Sequence, residues 1–397
     1  FLLKNIKDKK IVSAMAIKMG GVAEALSKMS FGNRLGFEIN DKDVDLFSLK
    51  PASILIETTE ELSYKNATLL GEVTDKFEGK VNGEKIDLEE VETTWLNKLN
   101  PIFPYKLEEK IETYDIKNKI GEKKIYKSSI TIAKPRVVIA AFPGTNSEYD
   151  MYNRFNENGG EAKITLLRNL TQKHLVESVD EMCKDLRNSQ IFVLPGGFSA
   201  GDEPDGSGKF MAAVLQNPKL MDEIKAFLDR DGLILGVCNG FQALVKSGLL
   251  PYGEIGNVHE NSPTLTFNKI GRHISQIVKT KIVTNNSPWL SSFEVGETFD
   301  IPVSHGEGRF YASDEVIKQL FENGQIATQY VNFDLEATNE FRFNPNGSSF
   351  AIEGIVSPDG RIFGKMGHSE RYSRDTFKNI DGNKNQNLIL NGIKYFK

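Results

Sequence analysis

Apolar and polar positions alternate in blocks between residues 135 and 250. The apolar blocks predict buried strands, and the polar, amphipathic blocks between them predict helices. The predicted strands lie at 136–142, 163–168, 190–194 and 232–236. The predicted helices include one that is capped by Thr171 and runs to Arg187, and one near 221–230. This alternation predicts a doubly wound α/β fold with a mostly parallel sheet, whose ligands bind at the carboxyl ends of the strands.

The pattern differs on both sides of this block. Before residue 135 we expect a smaller α+β unit, with a helix at 21–31, a strand at 53–57 and a hairpin at 80–88 around Asn82-Gly83. After residue 262 the strands are spaced less regularly and are expected to be antiparallel, with a last apolar strand at 361–365.

A stretch rich in Lys and Glu separates the two predicted units. Residues 107–134 contain few apolar side chains, so we expect them to form a linker that ends close to Pro135. The predicted organisation is therefore a first unit at 1–106, a linker at 107–134 and a main domain at 135–397.

Composition excludes several classes of protein. The chain has 397 residues, of which 39% are hydrophobic and 26% charged, so it is not a disordered chain. No apolar run approaches the ~20 residues that span a bilayer, so no membrane protein is expected. The 54 acidic and 49 basic residues give a net charge of −5 without a basic cluster, which gives no support for a nucleic-acid partner. Two cysteines cannot build a disulfide framework, which indicates a reducing, cytoplasmic location.

Cys238 is the candidate nucleophile. It stands where the predicted strand at 232–236 becomes a helix, and Gly236 and Gly240 flank it. Glycines at these positions permit a sharp turn that lifts one side chain above the sheet edge. The helix that follows favours a thiolate, and the Asn239 N–H would point at an oxyanion. Cys183, in contrast, lies in the middle of a predicted helix, where packing explains it.

A thiolate also needs a proton carrier, and His368 is the candidate. It follows the last apolar strand, and Glu370 stands two residues further on, where its carboxylate can orient the imidazole. With Cys238 these residues form a predicted Cys-His-Glu triad.

Two glycine-rich segments are candidate binding loops. Leu194–Asp202 follows a strand directly, so it shares a sheet edge with Cys238, and Gly196 and Gly197 allow close backbone approach. The Gly197 N–H could be a second oxyanion donor. The segment lacks the Lys of a P-loop, which argues against nucleotide phosphate. Ser304–Phe310 is the second segment and is consistent with a loop that approaches a ligand.

Four of these motifs occur together in a known order. They are Pro195-Gly-Gly-Phe-Ser-Ala-Gly-Asp202, Gly236-Val-Cys-Asn-Gly-Phe-Gln242, His305-Gly-Glu-Gly308 and Gly367-His-Ser-Glu-Arg371. With Val138–Asn146 they resemble the glutaminase domain of the phosphoribosylformylglycinamidine synthase family, within the class I glutamine amidotransferases. The resemblance covers residues 135–375.

The N-terminal unit is similar to a second part of that family. Gly20–Gly36 resembles the C-terminal half of an aminoimidazole-synthetase-like domain, which precedes the glutaminase in the large single-chain type. The chain begins with Phe1, so we expect a C-terminal portion of a longer polypeptide. The resemblance then implies that the remainder is the partner, that it holds most of the formylglycinamide ribonucleotide, ATP and magnesium site, and that glutamine hydrolysis itself needs no metal or other cofactor.

The resemblance also implies a role for individual residues. Cys238 is the nucleophile, His368 the acid–base group and Glu370 its orienting partner, while the backbone amides of Gly197 and Asn239 form the oxyanion hole. The implied glutamine-binding positions are Gly196, Phe198, Gln242, His305 and Gly306. Ser369 departs from the pattern, since many members have Pro between the His and the Glu, and we expect Ser to leave this loop freer.

The resemblance implies glutamine hydrolysis to glutamate and ammonia, with ammonia passed on for the ATP-dependent amidation of formylglycinamide ribonucleotide in purine biosynthesis. Two alternatives stay open at this point. One is a cysteine hydrolase or peptidase on a related α/β sheet. The other is a non-catalytic scaffold, which would require His368 and Glu370 to lie far from Cys238.

Overall fold

The structure is a computed structural model that describes residues 1–41, 43–102, 126–201 and 208–397. The chain divides into two compact units, Phe1–Tyr105 and Lys106–Lys397. The predicted linker lies partly in residues 107–125, outside the described residues. Among the described helices, none has both the length and the apolar composition required to cross a membrane.

The first unit is α+β, as predicted. Its helices are α1 (Leu2–Lys7), α2 (Gly21–Asn33) and α3 (Leu88–Asn97). Its strands are β1 (Ile11–Ala16), β2 (Gly36–Ile39), β3 (Ile54–Thr58), β4 (Glu72–Thr74), β5 (Glu78–Val81) and β6 (Glu84–Asp87). Strands β1 and β3 pair with each other, and a second sheet has the order β4-β2-β5-β6. The predicted hairpin is the antiparallel β5–β6 pair, which packs on a small core around Phe37 and Leu88.

The second unit alternates strands and helices before it changes to an antiparallel pattern. Its strands are β7 (Arg136–Ala141), β8 (Glu161–Leu166), β9 (Ile191–Leu194), β10 (Leu233–Val237), β11 (Thr264–Thr266), β12 (Ile274–Ile282), β13 (Thr298–His305), β14 (Arg309–Tyr311), β15 (Ile326–Tyr330), β16 (Ile352–Val356) and β17 (Ile362–Lys365). Its helices are α4 (Glu148–Glu157), α5 (Gln172–Arg187), α6 (Lys209–Leu215), α7 (Pro218–Asp229), α8 (Asn239–Ser247), α9 (Leu249–Tyr252), α10 (Asp314–Glu322) and α11 (Leu388–Lys394).

A nine-stranded sheet organises the described part of this unit, in the order β13-β12-β15-β16-β17-β10-β9-β7-β8. The five strands from β17 to β8 run parallel to one another, whereas the pairings from β13 through β16 to β17 are antiparallel. Every residue of β9 and β10 is buried, because helices cover both faces of the parallel part. The predicted α/β fold is confirmed, and the carboxyl ends of β7, β9, β10 and β17 meet at one edge.

Residues 126–134 of the predicted linker are attached to the second unit. Ser128 and Ile132 donate backbone hydrogen bonds to the carbonyl oxygens of Tyr395 and Phe396. The carboxylate of Asp231 accepts further hydrogen bonds from Ser128 and Ser129. Sequence pattern missed this attachment, because these contacts join residues that lie more than 100 positions apart in the chain.

Candidate active site

Cys238 forms a sharp turn between β10 and α8. Its φ angle is +52°, a left-handed conformation that is strained for any residue with a Cβ atom. The following helix lies so close to β9 that a Cβ atom on Gly240 would be 1.9 Å from the carbonyl oxygen of Leu194. Glycine at 240 is therefore required for this close approach, and the predicted elbow is present at the sheet edge.

The Cys238 backbone and side chain each contact a neighbouring strand. Its N–H donates to the carbonyl oxygen of Lys365, at the end of β17, over 2.8 Å. Its Sγ lies 3.6 Å from the carbonyl oxygen of Ser304, near the end of β13. The thiol is thus held between the carboxyl ends of two strands, and only 5% of the residue is exposed.

His368 approaches Cys238 from the turn after β17. A Cβ atom built on Gly196 would lie 2.6 Å from Cε1 of His368 and 3.4 Å from Cβ of Cys238, so the two side chains converge on the same point. The Nδ1 of His368 hydrogen-bonds Oε1 of Glu370 over 2.5 Å. Its other ring nitrogen, Nε2, is buried and makes no hydrogen bond among the described residues. The structure thus brings together the three residues that the sequence singled out as a triad.

The charges in this group are coupled. Burial would lower the pKa of His368, but the Glu370 carboxylate and the neighbouring Cys238 raise it to about 9. Burial would raise the pKa of Glu370, but the His368 imidazolium holds it below its ordinary value. The imidazole is therefore charged at neutral pH.

The loop after β9 passes beside the same point at Gly196, and hydrogen bonds fix its backbone. Asn146 donates to the Gly196 carbonyl oxygen over 3.1 Å, and Phe198 donates to the Gly144 carbonyl oxygen over 2.9 Å. The Gly196 N–H donates to Ser147 Oγ over 2.8 Å. The Gly197 N–H, between these anchored groups, makes no hydrogen bond among the described residues. It is thus available for an oxyanion. The end of the predicted loop, at Asp202, lies outside the described residues.

Ser147 is a testable anchor of this loop. Ser147→Ala removes the acceptor of the Gly196 N–H, so we expect the Gly197 N–H to lose its fixed direction. The kcat for the glutamine hydrolysis that the resemblance implies should then fall about 10-fold. Steady-state kinetics would measure the change, with Tyr149→Ala, an exposed position on α4, as the control. Equal kcat values for Ser147→Ala and the control would contradict a role for this anchor.

Asn239 and Gln242 join the elbow to the loops around it. The Ser199 N–H donates to Asn239 Oδ1, and Asn239 Nδ2 donates to Gln242 Oε1 over 2.9 Å. Gln242 Nε2 then donates to the carbonyl oxygen of Glu307 over 2.6 Å. Both ends of the Gln242 amide are therefore bonded to protein, and this residue ties the 305–308 loop to α8.

His305 lies at the end of β13, and it and Gly306 are fixed by Asn268. The Asn268 side chain contacts His305 Nδ1 over 3.2 Å and donates to its carbonyl oxygen over 2.8 Å, while its N–H donates to the Gly306 carbonyl oxygen. Burial, with the nearby His368 and His273, lowers the pKa of His305 to about 3, so this ring is neutral. Nε2 of His305 is buried without a partner among the described residues.

Phe198 is partly buried, and its ring lies near a residue that sequence pattern did not select. Its ring centroid lies 6.2 Å from that of His273, and His273 Nε2 hydrogen-bonds Ser304 Oγ over 3.0 Å. His273 is exposed in polar surroundings, so no apolar periodicity singles it out in the sequence.

Ser147 could have been predicted, because it follows β7 and therefore lies at the same sheet edge as Cys238.

No group of three or more His, Cys, Asp or Glu side chains in the described residues is placed to hold a metal ion.

Comparison with known proteins agrees with this geometry. Residues 134–397 match the family described as the CobB/CobQ-like glutamine amidotransferase domain, and the chain belongs to this family. It is a glutamine amidotransferase, in agreement with the sequence prediction.

The similar proteins carry more specific names. The phosphoribosylformylglycinamidine synthase subunit PurQ of Treponema denticola is 36% identical over 250 residues, which are 60% of this chain and 88% of that protein. The subunit of the same name from Aquifex aeolicus is 31% identical over 249 residues, 62% of this chain and 95% of that protein. Among solved structures, PurLQS from Thermotoga maritima is similar with 28% identity and a TM-score of 0.48, over 66% of this chain and 100% of that one.

Proposed function

We propose that the second unit hydrolyses glutamine to glutamate and ammonia, with Cys238 as the nucleophile. The observation that carries the proposal is the convergence of Cys238 and the His368–Glu370 pair beside the backbone of Gly196. This is the arrangement that acyl transfer requires, because nucleophile, proton carrier and oxyanion donor must all lie within reach of one carbonyl carbon. It also argues against the scaffold alternative, which needs these groups apart.

The first half-reaction forms a thioester. The Cys238 thiolate attacks the side-chain carboxamide carbon of glutamine, and the carbonyl π electrons move to oxygen. The N–H groups of Gly197 and Asn239 stabilise this oxyanion. When the carbonyl re-forms, the C–N bond breaks, and His368 donates its proton to the leaving nitrogen. The products are ammonia and a γ-glutamyl thioester on Cys238.

The second half-reaction uses the same residues in the reverse sense. His368 is now neutral and accepts a proton from water as the water oxygen attacks the thioester carbon. The C–S bond breaks, glutamate leaves, and the proton on His368 again balances the Cys238 thiolate. Glu370 keeps the ring oriented through its hydrogen bond to Nδ1 in both halves.

We further propose that the ammonia serves the amidation of formylglycinamide ribonucleotide. The names of the two PurQ relatives and of the Thermotoga maritima complex support this larger reaction. Residues 1–106 would be the C-terminal part of an aminoimidazole-synthetase-like domain of the large single-chain type, on the resemblance of Gly20–Gly36, which forms α2 and its flanks. The ATP-dependent site and its magnesium would lie mostly on the partner segment.

A comparison of glutamine with peptides as substrates distinguishes the proposed activity from the peptidase alternative. The purified chain is incubated with glutamine or with a peptide library, and glutamate and ammonia are quantified enzymatically. Equal amounts of glutamate and ammonia, with a γ-glutamyl adduct on the Cys238 peptide after acid quenching, are expected. Peptide cleavage without glutamate release from glutamine would overturn the proposal.

A further inference from the structure

Four buried polar residues lie together at the His368–Glu370 turn: Ser369 of the turn itself, with Glu353, Lys365 and Gln386. The Lys365 ammonium donates to Ser369 Oγ over 2.8 Å and to Gln386 Oε1 over 2.6 Å, and it lies 3.7 Å from Glu353 Oε1. Ser369 Oγ also donates to Gln386 Oε1, over 2.7 Å. We call these four residues the lysine cluster.

Both charges of the lysine cluster are fully buried and fully partnered. Glu353 accepts hydrogen bonds from the Gly367 N–H over 2.6 Å and from the Thr328 hydroxyl. Burial lowers the pKa of Lys365, while the carboxylates of Glu353 and Glu370 oppose that change. A buried ion pair of this kind adds little stability compared with apolar residues of similar size. Stability alone therefore does not explain its presence.

The lysine cluster touches both halves of the proposed triad. The carbonyl oxygen of Lys365 accepts the Cys238 N–H, while the Lys365 side chain holds Ser369, which stands between His368 and Glu370. Gln386 lies between β17 and α11, so it joins the segment after residue 371 to the same turn. The pattern of bonds fixes the turn that carries the imidazole relative to the strand that holds the nucleophile.

We propose that Gln386 is a positioning residue for glutamine hydrolysis, which acts through Lys365 and Ser369 to hold the imidazole of His368 against Cys238. This inference rests on the function proposed above. It assigns a role to the C-terminal segment, which carries no motif in the sequence. It also changes the interpretation of Ser369, because the hydroxyl bonds to Lys365 and Gln386 restrain a loop that we expected to be freer without proline.

The test compares three variants in the full chain. Gln386→Met keeps the side-chain length but removes the acceptor that Lys365 and Ser369 share. Gln386→Glu keeps an oxygen acceptor in either protonation state. Asn385→Met changes the adjacent, exposed residue of the same segment and is the matched control. Glutamine kinetics, thermal unfolding and the rate of Cys238 alkylation are measured for each.

We expect Gln386→Met to lower kcat by about 10- to 100-fold, because small displacements of a catalytic group cost about that much. KM should stay within about threefold of the wild-type value, since Gln386 bonds to Lys365 and Ser369 and is not one of the implied glutamine-binding residues. Gln386→Glu should recover most of the lost kcat, and Asn385→Met should resemble the wild type.

Several outcomes would overturn the inference. They are a wild-type kcat for Gln386→Met, an equal loss in Gln386→Met and Gln386→Glu, or a similar loss in Asn385→Met. If Gln386→Met is too unstable to assay, Gln386→Glu alone decides. A folded Gln386→Glu protein with a kcat well below the wild-type value would contradict the inference. Wild-type protein that does not hydrolyse glutamine at all would instead be a failure of the proposed function, so the two results are distinguishable.

Discussion

Replacement of Cys238 by Ala is expected to abolish glutamine hydrolysis, with a fall in kcat of at least about 10⁴-fold. In acyl transfer the nucleophile and its base act as a unit, so removal of one member removes most of the rate enhancement. The substitution deletes one sulfur atom at a turn that tolerates a Cβ atom already, so the fold should be unaffected. Glutamate release and thermal unfolding would measure the two effects separately.

Cys183 provides the matched control. It is buried in the middle of α5, where burial raises the pKa of its thiol and packing accounts for its presence. An electrophilic glutamine analogue should therefore label Cys238 and leave Cys183 unmodified, and Cys183→Ala should keep its glutaminase activity. Labelling of Cys183 alone, or residual activity in Cys238→Ala above about 1% of wild type, would remove the basis for the nucleophile assignment.

The same variant separates glutamine hydrolysis from the amidation that is proposed to use its ammonia. In the assembled synthase, Cys238→Ala should lose synthesis that depends on glutamine but keep synthesis that depends on added ammonia, because the nucleophile is needed only to release nitrogen. Loss of both activities with a normal unfolding temperature would mean that Cys238 also serves the synthase reaction, contrary to the proposal.

Sequence pattern was sufficient for the part of the fold that carries the site. Strands β7, β9 and β10 are short apolar runs bounded by turn residues, and fully buried parallel strands have this pattern. Strand bounds differed by one or two residues, as for β8, which runs from Glu161 to Leu166 rather than 163–168. For the half of the sheet after residue 262, the sequence predicted antiparallel strands but not which strands pair. That pairing joins residues that are distant in sequence.

The grouping of Cys238, His368 and Glu370 was predictable, because each residue occupies a recognisable position next to a strand end. Cys238 lies at a strand-to-helix turn between glycines, and His368 and Glu370 follow a strand that pairs with β10. The lysine cluster was not predictable. Glu353, Lys365 and Gln386 lie in three different segments, and no periodicity or spacing relates a buried lysine to its partners. Their relation exists only in the packed structure.

Replacement of Glu370 by Gln is expected to lower kcat by about 10³- to 10⁴-fold. The amide keeps the size of the carboxylate but loses the charge that raises the pKa of His368, and it can turn its NH₂ group toward Nδ1 and so select the wrong tautomer. Asp150→Asn is the matched control. The charge of Glu370 helps to raise the pKa of the Asp150 carboxyl, so the two groups are close, but the hydrogen-bond partner of His368 Nδ1 is Glu370. It should change kcat less than threefold.

The free energy of unfolding gives an independent test of whether Glu370 keeps the His368 imidazole charged. Because the pKa of His368 is about 9 in the folded protein and 6.5 ordinarily, its proton stabilises the folded state fully below pH 6.5, and this contribution is lost as pH rises through 9. In Glu370→Gln burial lowers that pKa and the contribution disappears. Denaturant unfolding should therefore show a larger stability difference between wild type and variant at pH 6 than at pH 9.5. A difference that is independent of pH would show that Glu370 does not hold the imidazole charged. The proton donor to the leaving nitrogen would then have to be another group.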